Sequence, residues 1–201
     1  TGPGDSDALR IARLSQAYGV GPGGAVLDWG VGHGRVLRHL PLAGMTGQLH
    51  GVDIDPDNIA WARDHLKTLD MRVGPLMPPS PYAEDSFDLV YGISVMTHLT
   101  RHVQEAWLAE IARILKPGGV ALLTFSGDTA VAFQSYSLTP DWLAVYLETG
   151  AGPHLPDNSL VGVIEDPSYY KNVYLSADRA AELCGRYLEV AGAHPCMFGY
   201  Q

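Results

Sequence analysis

The sequence predicts an α/β fold built on a mostly parallel sheet with crossover helices. Three observations carry that reading. Short apolar runs alternate with stretches of helical spacing through the first two thirds of the chain, an order that sets parallel strands side by side with helices between them. The first apolar run feeds a turn with glycine at 30, 32 and 34, the join of strand to helix in nucleotide-binding sheets. The 201 residues suffice for one well-buried core and fall short of two ordinary domains. No internal repeat or low-complexity run competes with this reading.

Taken in order, residues 1–7 are small and polar and read as a frayed end. Residues 8–17 place Leu9, Ile11, Ala12 and Leu14 at helical spacing. Residues 25–29 form a first strand, and a helix is expected from Arg35 to Leu40. Residues 48–54 form a second strand. Asp55 then suits a helix cap with Pro56 at the first helical position, followed by Ile59, Ala62, Leu66 and Leu69. Residues 71–73 are a weak third strand, and the prolines at 75, 78, 79 and 81 exclude a helix before Ser86. Residues 87–95 are a buried strand, 103–115 a helix stopped by Lys116-Pro117-Gly118-Gly119, and 120–125 a fifth strand.

After Ser126 the rhythm breaks. Residues 126–175 exceed the roughly 2–6 residues usual for a connection, and Thr139-Pro140-Asp141-Trp142 marks a helix start running to about Glu148. We expect a single domain over residues 1–201, with 126–175 an insertion that covers the acceptor as a lid. The segment holds Tyr136, Trp142, Tyr146, His154, Asp157, Tyr169 and Tyr170, aromatic and polar groups that suit a pocket wall or an extra packing layer. Trp142 and Tyr146, four apart, are expected on one helix face turned toward the crevice. Ser176 caps a further helix to about Tyr187, and 188–193 read as a strand.

The net charge of −9 repels phosphate backbones and speaks against a nucleic-acid partner. No apolar stretch reaches the roughly 18 residues of a membrane span, so no membrane partner is expected. No secretory leader is expected, and Cys184 and Cys196 make neither a CxxC pair nor a zinc spacing. Both are read as reduced thiols of a cytoplasmic protein. Composition leaves the oligomeric state open. His98 and His102 sit four apart without an HExxH pattern, so no metal site is expected.

The chemistry concentrates at the glycine turn. Asp28 stands two places before Gly30, and Asp53 ends the next strand, where a carboxylate can accept hydrogen bonds from ribose hydroxyls. A dinucleotide fingerprint needs its third glycine one place after Gly34, where Arg35 stands, and Asp28 would face a pyrophosphate. S-adenosyl-methionine carries a sulfonium, an ammonium and no phosphate, so an acid at the turn suits it. Here DWGVGHG resembles the first motif of the class I S-adenosyl-methionine-dependent methyltransferases. GVDIDPDNIAWAR resembles their second, and SFDLVYGISVMTHL and EIARILKPGGVALLTF are similar to the segments around their fourth and fifth strands.

The resemblance covers residues 20–126. It implies a doubly wound, seven-stranded sheet of order 3-2-1-4-5-7-6, with the last strand antiparallel and here cut short. It implies that Asp28, Gly30, Gly32 and Gly34 wrap the methionine part of S-adenosyl-L-methionine, that Asp53 holds the ribose and that Ile54 lies against the adenine. Residues 74–79 depart from the pattern, offering Pro75 and Leu76 where relatives place an acid. The fourth strand's end offers Tyr91, Ser94 and His98, of which His98 has the pKa range of a base for a hydroxyl acceptor; the alternative is a structural histidine. Gly92-Ile93-Ser94-Val95 supplies none of the acids that metal-dependent relatives of the catechol type use. Arg35 grips a carboxylate or makes a surface ion pair, and Trp29 reads as core packing. The FGYQ tail, with the PSYY and VYLS pieces, looks like small bacterial methyltransferases tied to glycans or secondary metabolites. The expected acceptor is therefore a small molecule, methylated at a hydroxyl.

Overall fold

The computed structural model describes residues 3–166, 168–199 and 201. Thr1 and Gly2 of the expected frayed end, Pro167 of the PSYY piece and Tyr200 of the tail lie outside them. The chain divides into two compact units, residues 1–93 with 110–123, and residues 94–109 with 124–201.

The first unit is a parallel five-stranded sheet. Its strands are β1 (Val26–Trp29), β2 (Leu49–Asp53), β3 (Asp70–Val73), β4 (Phe87–Gly92) and β5 (Leu115–Leu123), in the order β3-β2-β1-β4-β5. The order of the first five strands is the expected one. β1 is central, paired with β2 and β4, and all four of its residues are buried. Strands buried on both faces read as unbroken apolar runs, which is why this region was legible.

Helix α1 (Pro3–Ala17) begins before the expected residue 8, so part of the segment read as frayed is helical. Its buried face is Ala8, Ile11, Ala12 and Ser15, the spacing of one helical stripe. After β1 only a 3₁₀ turn (Leu37–His39) forms where a helix was expected. Leu37 and Leu40 are fully buried there, and Pro41 lacks the N–H that would continue a ladder. Helix α2 (Pro56–His65) starts as its sequence dictates: the Asp55 carboxylate accepts from the N–H groups of Asp57 and Asn58, with Pro56 in the first turn. The proline-rich stretch before β4 is fastened by Glu110, whose Oε1 accepts from the Ser80 N–H and hydroxyl at 2.8 and 2.6 Å while Arg113 bridges to it. Glu110 lies on α3 (Arg101–Ile114), which closes the crossover into β5.

The second unit has its own core. Helix α4 (Asp128–Gln134) and helix α5 (Pro140–Thr149) pack Ala130, Val131, Trp142 and Tyr146 around Tyr174. The Thr139 hydroxyl caps α5 by accepting from the Trp142 N–H, and Gly150 ends it in the left-handed region. Two short strands, β6 (Leu155–Pro156) and β7 (Lys171–Asn172), pair antiparallel across the loop between them. Residues 173–176 then run along the unit, with Val173 donating to the Thr97 carbonyl, Leu175 to Ser126 and Ser176 to Gly150. Helix α6 (Ala177–Cys184) is capped by Ser176.

Two expectations fail here. Residues 188–193 are not a strand, and no sixth or seventh strand joins the sheet among the described residues. Glu189, Val190 and the following residues through 196 are exposed, so no buried face demands that they pair. Trp142 and Tyr146 share one helix face as expected, but that face is core: Trp142 donates its indole N–H to the Pro153 carbonyl at 2.7 Å and Tyr146 its hydroxyl to Asp128 at 2.8 Å. Large rings bury the most apolar area, and this small unit uses them for its interior. No helix among the described residues is long and apolar enough to cross a membrane.

Candidate cofactor and acceptor sites

The glycine turn is held to the end of β2. Gly30 and Val31 donate their N–H groups to the Val52 carbonyl at 2.8 and 3.0 Å. Gly30, Gly32 and Gly34 all have positive φ, +82°, +52° and +70°, a region side chains resist and glycine enters freely. Gly34 also needs the space: a Cβ there would stand 2.6 Å from Leu66 Cδ1 and 3.1 Å from Met71 Cε. At Gly32 a Cβ would meet nothing within 4 Å, so the backbone is open to a ligand on that side.

Asp53 is the last residue of β2 and reaches into this turn. Its Oδ2 accepts from the Gly32 N–H at 2.8 Å and its Oδ1 from the Asp55 N–H at 2.9 Å. One carboxylate thus sets the shape of the glycine turn and the entry to α2. Ile54 follows it, half-buried. Asp28 lies opposite Tyr91 in the β1–β4 register, so their side chains share a face, and the Tyr91 hydroxyl donates to Asp28 Oδ2 at 2.7 Å. Both are buried. Burial pushes the Asp28 carboxyl up to about 7, against the Tyr91 hydrogen bond; the Asp53 charge raises it further and Arg35 lowers it. Tyr91 is held well above the ordinary phenol range, first by burial and then by Asp28. It therefore donates as a neutral hydroxyl and is removed from the candidate bases.

Arg35 pairs with Asp7 of α1 at 2.8 Å, the surface ion pair of the two readings. Trp29 is buried against Gly92, where a Cβ would come within 2.8 Å of its ring.

His98 belongs to the second unit, in a 3₁₀ turn (Met96–His98) just past β4. Its ring stacks on Tyr170, centroids 4.4 Å apart and 8° from parallel, and its Nδ1 lies 3.4 Å from Asp157 Oδ2. Burial lowers its pKa, opposed by the Asp157 charge and a hydrogen bond to the Lys171 backbone. The ring is therefore neutral at neutral pH, the state a base requires. Ser94 takes a strained φ of +59° and donates its N–H to Thr124 Oγ1 at 2.8 Å, while the Ser94 and Thr124 hydroxyls both meet the Gln201 amide oxygen. The sequence marked Asp157 and Tyr170 as pocket residues but gave no sign of their pairing with His98. No spacing rule links residues so far apart; the β6–β7 pairing sets Asp157 near Tyr170, and the Leu99–Tyr170 bridge with the Val173 N–H to Thr97 carbonyl bond sets that segment beside His98.

The first-unit residues fit S-adenosyl-methionine. A turn open at Gly32 lets a ligand touch the main chain, Asp53 offers acceptor oxygens to a diol, and the buried Asp28 carboxylate suits a cationic group.

The comparisons agree. Residues 27–123 match a family model described as a methyltransferase domain. A ubiquinone/menaquinone biosynthesis C-methyltransferase of Cupriavidus taiwanensis is 37% identical over 151 residues, 67% of this chain and 58% of that protein. The enzyme of the same name from Cupriavidus pinatubonensis is 32% identical over 194 residues, 83% of this chain and 75% of that protein. The chain thus spans little more than half of the first of these relatives. Among solved structures, an S-adenosyl-methionine-bound amino pentose methyltransferase from Micromonospora echinaspora, involved in calicheamicin biosynthesis, is 25% identical with a TM-score of 0.52, covering 61% of this chain and 50% of that one. With the glycine turn, the two placed acids and the strand order, these likenesses establish that the chain belongs to the class I S-adenosyl-methionine-dependent methyltransferases.

Proposed function

We propose that this protein transfers the methyl group of S-adenosyl-methionine to a hydroxyl of a small-molecule acceptor, a glycan-related or secondary metabolite. The observation that carries the reading is the joined pair of Asp53 and Gly32 beside the buried Asp28. The bound cofactor supplies a methyl group already made electrophilic by its sulfonium. Asp28, Gly30, Gly32 and Gly34 hold the methionine part, Asp53 the ribose, and Ile54 borders the adenine. His98, neutral and past the end of β4, takes the acceptor's hydroxyl proton. Residues 126–175 act as the lid that selects the acceptor and excludes water.

A second reading, transfer to carbon, is favoured by the two Cupriavidus relatives, which are C-methyltransferases. The test is incubation of methyl-labelled S-adenosyl-methionine with panels of glycosides and quinols, with the product identified by NMR. O-methylated product, lost on the order of 10²–10⁴-fold in His98→Gln with binding of the demethylated cofactor unchanged, supports the first reading. C-methylated product supports the second, and a protein that binds cofactor but turns over neither panel is a binding protein of the same fold.

A further inference from the structure

Among the described residues, the carboxylate nearest His98 is that of Asp157, and it is itself held. Its Oδ1 accepts from both the N–H and the hydroxyl of Ser159, at 2.9 and 2.5 Å. The Asn172 side chain is a further partner of this carboxylate, whose Oδ2 faces His98 Nδ1 at 3.4 Å, with the two side chains 14% and 19% exposed. His98 Nδ1 is buried and makes no hydrogen bond to any described residue, so the Asp157 oxygen at 3.4 Å is the acceptor it faces. The far face of the ring rests on Tyr170, and the Lys171 backbone is the remaining polar neighbour.

We infer that Asp157 is the positioning residue of His98: its carboxylate, aimed by Ser159, holds the ring with Nδ1 toward Oδ2 and leaves Nε2 as the proton-accepting atom. The inference deepens the reading of His98 as the base and rests on it. The physical argument concerns where one proton goes. Burial disfavours the imidazolium, so the resting ring carries a single N–H. Two acceptors compete for it, a carboxylate and a backbone carbonyl, and the charged one forms the stronger bond. A proton on Nε2 would instead turn the bare Nδ1 lone pair toward a carboxylate oxygen in a dry setting. When Nε2 takes a proton from the acceptor's hydroxyl, the O–H bond breaks, the ring becomes cationic, and Asp157 and the Lys171 carbonyl both stabilise it.

The test is two-bond ¹H–¹⁵N NMR of the full chain labelled in histidine, with His98 assigned by the missing signals of His98→Gln. The expected result is a neutral His98 at pH 7.5 with its proton on Nδ1. Asp157→Asn moves the proton to Nε2 and lowers the His98 pKa further, Asp157→Glu restores the native tautomer, and Ser159→Ala gives a mixture of the two. A native ring protonated on Nε2, or one unchanged by Asp157→Asn, overturns the inference. None of these readouts requires the acceptor. A tautomer that behaves as expected, in a protein whose methyl transfer survives His98→Gln, therefore sinks the base reading while leaving the contact intact, and the reverse pattern sinks only the inference.

Discussion

Asp28 is the residue whose chemistry the fold changes most. It stands in the central strand, so β2 and β4 strip it of water, and its carboxyl moves from 3.8 to about 7. Because the folded value lies above the unfolded one, its contribution to stability is fully present below pH 3.8 and is lost as the pH rises through about 7. A cationic ligand reverses the preference by favouring the carboxylate. S-adenosyl-methionine should therefore bind more tightly at pH 8 than at pH 6 and release protons on binding at pH 6. Calorimetry in buffers of different ionisation enthalpy reads both, and Asp28→Asn should flatten the dependence; an affinity flat from pH 6 to 8 in the native protein contradicts this account. The place of Asp28 two residues before the glycines was visible in the sequence. Its protonation was not, because burial depends on which strand ends up in the middle. His98 shows the same limit, since its position was readable and its neighbour Asp157, distant in sequence, was not.

Among the elements, those with local chemical signals were read well. Asp55 with Pro56 and Thr139 with Pro140 start helices α2 and α5 as their side chains dictate. The elements that failed depend on distant partners: the helix expected after Gly34 is a 3₁₀ turn, and residues 188–193 find no strand to pair with. The glycine turn gives a paired test. Gly34→Ala meets both a positive φ and the Leu66 side chain at 2.6 Å, and should destabilise the protein by about 1–3 kcal/mol. Gly32→Ala meets open space and should cost about 1–2 kcal/mol for the backbone alone, while its methyl group intrudes where the cofactor binds. Urea denaturation with cofactor titration should thus show Gly34→Ala as the greater stability defect and Gly32→Ala as the greater binding defect relative to its stability. Equal effects at both positions would contradict the tighter packing at Gly34 and the open face at Gly32.

At the scale of the whole molecule, the first unit was legible because a parallel sheet writes its strands as apolar runs and its site as glycines and acids at their ends. The second unit was not, since its core comes from aromatic side chains in a segment without regular alternation, and the same rings that suit a pocket wall also fill an interior. Trp142→Ala should destabilise by about 3–5 kcal/mol and abolish methyl transfer while binding of the demethylated cofactor survives; near-ultraviolet circular dichroism and calorimetry on one sample check this, and loss of cofactor binding would contradict the placement of that site in the first unit. The central claim is that the glycine turn with Asp53 binds S-adenosyl-methionine. Its most direct test is calorimetric titration of the native chain and of Asp53→Ala with S-adenosyl-methionine, its demethylated product and NAD. The account predicts binding of the first two and not of NAD, with Asp53→Ala weaker by about 1–3 kcal/mol through loss of a charged acceptor. Binding of NAD alone, or an affinity for S-adenosyl-methionine untouched by Asp53→Ala, would contradict it.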